Sequence, residues 1–159
     1  MIIIHKMFSQ IELEKYIQDL ELDGISPLYG TAENDLMVFA WEDDMCPVET
    51  FRSHGYYDKM KELIRKTDIS GILYRGVDTK ERFFNGNFID YTNKITSWTT
   101  DESIAWDFTN SDDPIILKCS FDNIKGMVLV QQTEKERILD EMKLEIVSYD
   151  KHIINVKVV

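Results

Sequence analysis

Cysteine, histidine and positive charge are all scarce in this chain. Its two cysteines, Cys46 and Cys119, stand far apart and match no metal-ligand spacing, so they read as reduced thiols in a cytosolic protein rather than as a disulfide framework. The three histidines, His5, His54 and His152, are scattered as widely, and no metal site is expected. Lys and Arg number 18 against 29 Asp and Glu, a formal net charge of −11. Direct nucleic-acid binding is therefore not expected, because neutralising phosphates takes clustered cations. Long apolar runs are missing too. Met1-Ile2-Ile3-Ile4 is too short to span a bilayer and lacks the flanks of a secretion signal, so it reads as a buried strand, with no membrane partner and a cytoplasmic location expected.

No repeat, low-complexity stretch or Pro/Gly/Ser-rich linker divides the 159 residues, and a single domain spanning 1–159 is expected. Charge divides it unevenly. Residues 1–50 hold 11 acidic side chains against 2 Lys, whereas residues 51–159 hold 18 against 16. The first part reads as an acidic extension, which either steers the protein toward a basic partner or keeps it soluble.

Hydrophobic periodicity then places the elements. Ser9 and Glu12 have capping-box spacing, Leu13, Tyr16, Ile17 and Leu20 follow at helical intervals, and Gly24 is a stop signal. Tyr56, Met60, Leu63 and Ile64 predict a second helix ending near Thr67-Asp68. Gly71–Val77 reads as a strand broken at Gly76. Thr99 and Glu102 form another capping pair, opening a short helix that buries Ile104, Ala105 and Phe108. Alternation of Ile115, Leu117, Cys119 and Phe121 predicts a strand, with further strands at Met127–Val130, Arg137–Leu139, Leu144–Tyr149 and, after a turn at Asp150-Lys151, at Ile154–Val158. Helices first and strands later imply an α+β fold.

Three segments carry chemistry. In Leu73-Tyr74-Arg75-Gly76-Val77, an arginine interrupts an apolar strand and is costly there unless its guanidinium meets an anion or other acceptor. The adjacent glycine allows a close approach of the backbone to a ligand. In Thr96-Ser97-Trp98-Thr99, strand alternation sends Ser97 and Thr99 to one face and Trp98 to the other. In Glu134-Lys135-Glu136, a period of two puts both carboxylates on one face, where they could stabilise a cationic glycosyl centre. Each segment also has an ordinary structural explanation: an ion-paired arginine, a helix cap, a solvated edge.

Taken in order, the three resemble the Arg-Ser-Glu class of mono-ADP-ribosyltransferases, the cholera-toxin-like group. The small transferases of T-even bacteriophages are similar in showing an aromatic-Arg-Gly-Val segment, a Ser-x-Ser segment running into Ile-Ala-x-x-Phe, and Glu-x-Glu. The corresponding residues here are Tyr74-Arg75-Gly76-Val77, Ser97-Trp98-Thr99 with Ile104-Ala105-Trp106-Asp107-Phe108, and Glu134-Lys135-Glu136. The resemblance covers residues 55–159 and implies N-terminal helices followed by a split antiparallel β-sandwich, with 51–159 as the NAD-binding catalytic core.

It also implies roles. Arg75 would clamp the phosphates or nicotinamide ribose of NAD, and the Gly76 backbone would bind the carboxamide. Ser97 would hold the ribose and orient Glu136, with Thr99 supporting the strand. Glu136 would be the catalytic glutamate, and Glu134, as the first acid of the pair, would polarise an arginine acceptor on a bacterial host protein. NAD is then the co-substrate and no metal takes part. Two features depart from the pattern: Val130-Gln131-Gln132-Thr133 is short and lacks an aromatic, and Asp140-Glu141 stand where a proline is frequent. NAD hydrolysis, modification of nucleic acid or of another side chain, and a non-catalytic acidic module that binds a basic partner are the alternatives.

Overall fold

The computed structural model describes residues 9–42, 48–77, 84–109, 112–130 and 135–159. The strand expected at Met1–Ile4, and Cys46, lie outside them. The chain divides into two compact units, Met1–Leu63 and Ile64–Val159.

The first unit is helical. Helix α1 (Gln10–Asp23) starts and stops where its capping residues predict. The Ser9 hydroxyl accepts from the Glu12 amide at 3.1 Å, and Gly24, at φ 63°, turns its N–H back onto the carbonyl of Glu21. Helix α2 (Ala32–Glu42) is not evident from periodicity, since Leu36–Trp41 is an unbroken apolar run. What fixes α2 is polar. Asp35 is completely buried and accepts from the Tyr16 hydroxyl at 2.6 Å and from the amides of Leu28 and Tyr29 at 2.9 and 2.7 Å. One member of the acidic extension is therefore a structural acceptor that ties α1, the following turn and α2 together. Helix α3 (Val48–Ser53) and helix α4 (Tyr56–Ile64) meet at Gly55, whose φ of 75° suits glycine. The Tyr56 hydroxyl donates to Glu33 at 3.1 Å.

The second unit is a sheet of eight strands: β1 (Asp68–Val77), β2 (Phe84–Asn85), β3 (Phe88–Tyr91), β4 (Thr96–Thr99), β5 (Ile115–Val128), β6 (Glu136–Leu139), β7 (Met142–Asp150) and β8 (Ile153–Val158). A fifth helix, α5 (Glu102–Asp107), lies between β4 and β5 in sequence. The strand order is β1-β4-β6-β5-β8-β7-β3-β2, with β1 also pairing β5. Strands β1, β4, β6 and β5 thus close a ring. The core cluster combines Leu73, Val77, Trp98 and Leu139 of that ring with Ile89, Tyr91, Leu144 and Val156 from the far end of the order, so the sheet folds over on itself around this core.

Three details differ from expectation. The pairing of β5 with β8 is parallel, so the sheet is not wholly antiparallel. The strands expected at Ile115–Phe121 and Met127–Val130 are one strand, which passes through Asn123 at φ 51° and Gly126. Strand β1 runs through Gly76 unbroken. The turn after β7 forms as expected, with Lys151 at φ 56°.

Replacing Asp35 with alanine leaves a hydroxyl and two amides without their acceptor, and should destabilise the protein by about 3 kcal/mol, whereas Tyr16→Phe should cost about 1 kcal/mol. Denaturant midpoints measure both. Alkali should act on the same unit. Burial, and then the bond to Glu33, push the Tyr56 hydroxyl from 10.0 up to about 12. Burial and Asp35 raise Tyr16 as well. A raised folded-state value means the contribution is intact below pH 10 and is lost as pH climbs toward about 12. The denaturant midpoint should fall across that window, and less steeply in a Tyr16→Phe/Tyr56→Phe double variant.

Candidate active site

Strand β1 pairs with β5 along its length but with β4 at a single register position, Tyr74 opposite Thr99. Beyond that position β1 and β4 part, and Arg75 occupies the seam. Alternation puts Arg75 on the core side with Leu73 and Val77. Its Nη1 donates to the carbonyl of Ser97 at 2.9 Å, and its Nε to the Tyr91 hydroxyl at 3.4 Å. The guanidinium carbon sits 5.4 Å from the centre of the Tyr91 ring. A neighbouring strand's carbonyl and a buried tyrosine are what make this cation tolerable among apolar residues.

Strand β4 is anchored through its other side chains. Trp98 is buried in the core, donates from Nε1 to the Thr96 hydroxyl at 2.8 Å, and meets Phe121 edge to face at 5.2 Å. With Trp98 facing inward, Ser97 and Thr99 lie on the opposite face, as their spacing predicts. Across the ladder to β6, Ser97 is opposite Ile138 and Thr99 is opposite Glu136. Directly opposed residues share a face. Tyr74, Thr99 and Glu136 therefore form one row over three strands, with Ser97 on the same side.

Helix α5 covers that side at β1. A Cβ on Gly76 would collide with the carbonyl of Ala105 and come within 3.2 Å of the Phe108 Cβ. The close approach that this glycine permits is thus made by a helix of the chain itself. The helix starts two residues later than its expected cap: the N-cap is Asp101, not Thr99. Asp101 Oδ1 accepts from the Ser103 amide at 3.0 Å and the Ser103 hydroxyl at 2.6 Å, and these bonds hold the carboxyl below the usual carboxylate range. Thr99 supports the cap by accepting from the Asp101 amide at 3.1 Å.

Strand β6 begins at Glu136, because Lys135 adopts φ 51° in the left-handed region. The period-two alternation of β6 is described from Glu136 onward. Glu134 itself lies outside the described residues. Glu136 is half-buried, and its carbonyl accepts from the Leu129 amide at 3.1 Å. Arg137 folds back so that Nη1 donates to the carbonyls of Lys135 and Glu136 at 3.1 and 3.4 Å.

Arg75, Gly76, Ser97, Thr99 and Glu136 thus stand on the neighbouring strands β1, β4 and β6. Glu136 and the two β4 hydroxyls share the face that α5 covers at β1, whereas Arg75 faces the core side and meets β4 through the Ser97 carbonyl; a carboxylate able to oppose developing positive charge and a cation able to hold an anion thus stand on neighbouring strands. Among the described residues no three His, Cys, Asp or Glu side chains cluster to hold a metal ion. Sequence reasoning missed Tyr91, Asp101 and Arg137. The Asp-x-Ser spacing of 101–103 carries a capping signal, but nothing local links Tyr91 to an arginine 16 residues earlier.

Gly76→Ala should force β1 and α5 apart at a cost of about 1–3 kcal/mol. A lowered denaturant midpoint, with faster hydrogen exchange at the Phe108 amide that closes α5, is the expected result.

No protein-family model and no curated protein matches the chain. Solved structures do. The ADP-ribosyltransferase Vis, a toxin of Vibrio Splendidus, in its complex with agmatine, superposes with a TM-score of 0.60 at 16% identity, covering 98% of this chain and 88% of its own. The Clostridium limosum C3 exoenzyme gives 0.53 at 14%, covering 97% and 96%. Plx2a, an ADP-ribosyltransferase toxin from Paenibacillus larvae, gives 0.52 at 13%, covering 93% and 96%. These matches take in most of residues 1–50, which the motif resemblance does not reach. The fold of this chain, over nearly its whole length, is that of the ADP-ribosyltransferase toxins.

Proposed function

We propose that the protein is an NAD-dependent mono-ADP-ribosyltransferase acting on a protein arginine in the bacterial cytoplasm, of the kind that T-even bacteriophages use. The observation that supports this reading is the placement of Arg75, Ser97 and Glu136 on the neighbouring strands β1, β4 and β6 of this particular fold. Arg75 holds the dinucleotide at the seam, together with the Gly76 backbone, Ser97 and Thr99. Glu136 bonds the ribose and opposes the positive charge that develops as the bond between C1′ and the nicotinamide nitrogen breaks. The electron pair of that bond returns to the nicotinamide ring. An arginine nitrogen of the target then bonds C1′ and loses a proton, and the role of polarising that acceptor is assigned to Glu134 on the motif resemblance. NAD is consumed as co-substrate and the chemistry requires no metal. The arginine acceptor draws support from the Vis complex, since agmatine carries the same guanidinium group.

Incubation with labelled NAD and a bacterial lysate tests the reading. Wild-type protein should label lysate proteins and release nicotinamide, and Glu136→Gln should lower both by about 100-fold or more. Glu134→Gln should abolish transfer while sparing NAD hydrolysis. Free ADP-ribose without labelled protein would make the enzyme a glycohydrolase, and label on nucleic acid would replace the protein target. NAD left untouched by wild type in the presence of lysate would reduce the chain to an acidic binding module.

A further inference from the structure

The backbone at Glu136 is held by contacts that no role assigned so far explains. Its backbone lies opposite Thr99. The Thr99 hydroxyl accepts from the Asp101 amide at 3.1 Å. Asp101 divides its two oxygens: Oδ1 caps α5, and Oδ2 faces Lys135 Nζ at 3.8 Å. Lys135 precedes Glu136 and holds a left-handed φ of 51°, a conformation that costs a non-glycine residue about 1 kcal/mol. On the other side, Arg137 Nη1 donates to the carbonyls of both Lys135 and Glu136. The route Glu136–Thr99–Asp101–Lys135 thus returns to its starting point, and Arg137 locks the step at which the backbone turns.

The two cationic neighbours differ in weight. Lys135 and Asp101 are 59% and 35% exposed at the side chain, and a pair that open to water adds little. Arg137 is half-buried, and its guanidinium engages two backbone carbonyls at the turn itself. Those carbonyls belong to the two peptides that flank the Glu136 Cα, so the clamp fixes the backbone from which the carboxylate projects.

We propose that Arg137 is a positioning residue for Glu136. Its guanidinium clamps the Lys135 and Glu136 carbonyls and fixes the left-handed turn that aims the Glu136 carboxylate, with the Asp101–Lys135 pair as a weaker tie to α5. This inference rests on the reading of Glu136 as the group that stabilises the cleaving bond of NAD. A carboxylate whose part is played in the transition state makes a distinct kinetic prediction: loosening it lowers kcat and leaves ground-state NAD binding almost unchanged.

The test is nicotinamide release by the full chain as a function of NAD concentration. Arg137→Ala should lower kcat about tenfold with KM for NAD changed by less than about twofold. Arg137→Lys, which restores one donor, should recover part of that loss. Lys135→Gly, which removes the ion pair and suits the left-handed φ, should stay within about twofold of wild type. The decisive comparison is in a Glu136→Gln background, where adding Arg137→Ala should produce no further loss, because a residue acting through Glu136 has nothing left to position. A further tenfold drop there would show that Arg137 acts on NAD directly and overturn the proposal, as would wild-type kcat in Arg137→Ala. Should Arg137→Ala fail to fold, the Arg137→Lys substitution alone and in the Glu136→Gln background gives the same two readings. Wild-type activity in Glu136→Gln by itself would instead remove the function on which the inference rests.

Discussion

The bond from the Arg75 guanidinium to the Ser97 carbonyl is the constraint around which the second unit is arranged. A cation on an apolar strand must find acceptors, and here it takes one from the backbone of the strand beside it. That carbonyl belongs to a stretch where β1 and β4 pair at one position only. The arginine therefore both fills the seam and bridges it. Shortening the side chain to that of lysine would keep the charge but lose the planar fork that satisfies Ser97 and Tyr91 together.

Strand β4 shows how four residues can serve structure and chemistry at once. Alternation assigns Thr96 and Trp98 to the core and leaves Ser97 and Thr99 on the α5 side. The two faces are not independent. Trp98 is locked by its ring contact with Phe121 and its bond to Thr96, which fixes the rotation of the strand and hence the direction of the Ser97 and Thr99 hydroxyls. Two glycines allow the flanking layers to close on this strand's neighbours. Gly76 admits the α5 backbone, and Gly126 lies where a Cβ would come within 2.6 Å of Leu139 Cδ2 and 2.8 Å of Ile69 Cδ1. Packing alone requires a glycine at both positions, whatever else the Gly76 backbone does.

What could be read from the sequence follows the range of the forces involved. The caps of α1 act over three or four residues, so Ser9 and Gly24 mark its ends correctly. Strand β8 and the turn before it are equally local. The order of Arg75, Ser97 and Glu136 was readable because a similar sequence pattern exists, while their arrangement on adjacent strands needed the register of the ladders. Helix α2 was missed because its apolar run has no period and its polar anchor, Asp35, bonds across 19 residues to Tyr16. The unity of β5 was missed because Asn123 and Gly126 look like breakers, whereas pairing with β1 and β6 carries the strand through both. The left-handed Lys135 could not be foreseen either, since Arg137 and Asp101 supply the contacts around it from outside its own dihedral preferences.

Charge adds a last consideration for the proposed reaction. A protein of net charge −11 sets up a field that repels a dinucleotide's phosphates and attracts a cationic side chain. In the proposed reaction NAD capture would then rest on short-range contacts at the seam, where Ser97 and Tyr91 already order Arg75 and would leave little ordering to the moment of binding. The acceptor is in the opposite position. An exposed guanidinium on a target protein approaches with the field, and the acids that contribute to it are abundant on α1, where Glu12, Glu14, Asp19, Glu21 and Asp23 are all exposed. In the proposed reaction one charge distribution would oppose the first substrate and favour the second, and the role proposed for Glu136 fits both: its carboxylate would act only once NAD is held by local bonds and a positive centre is forming.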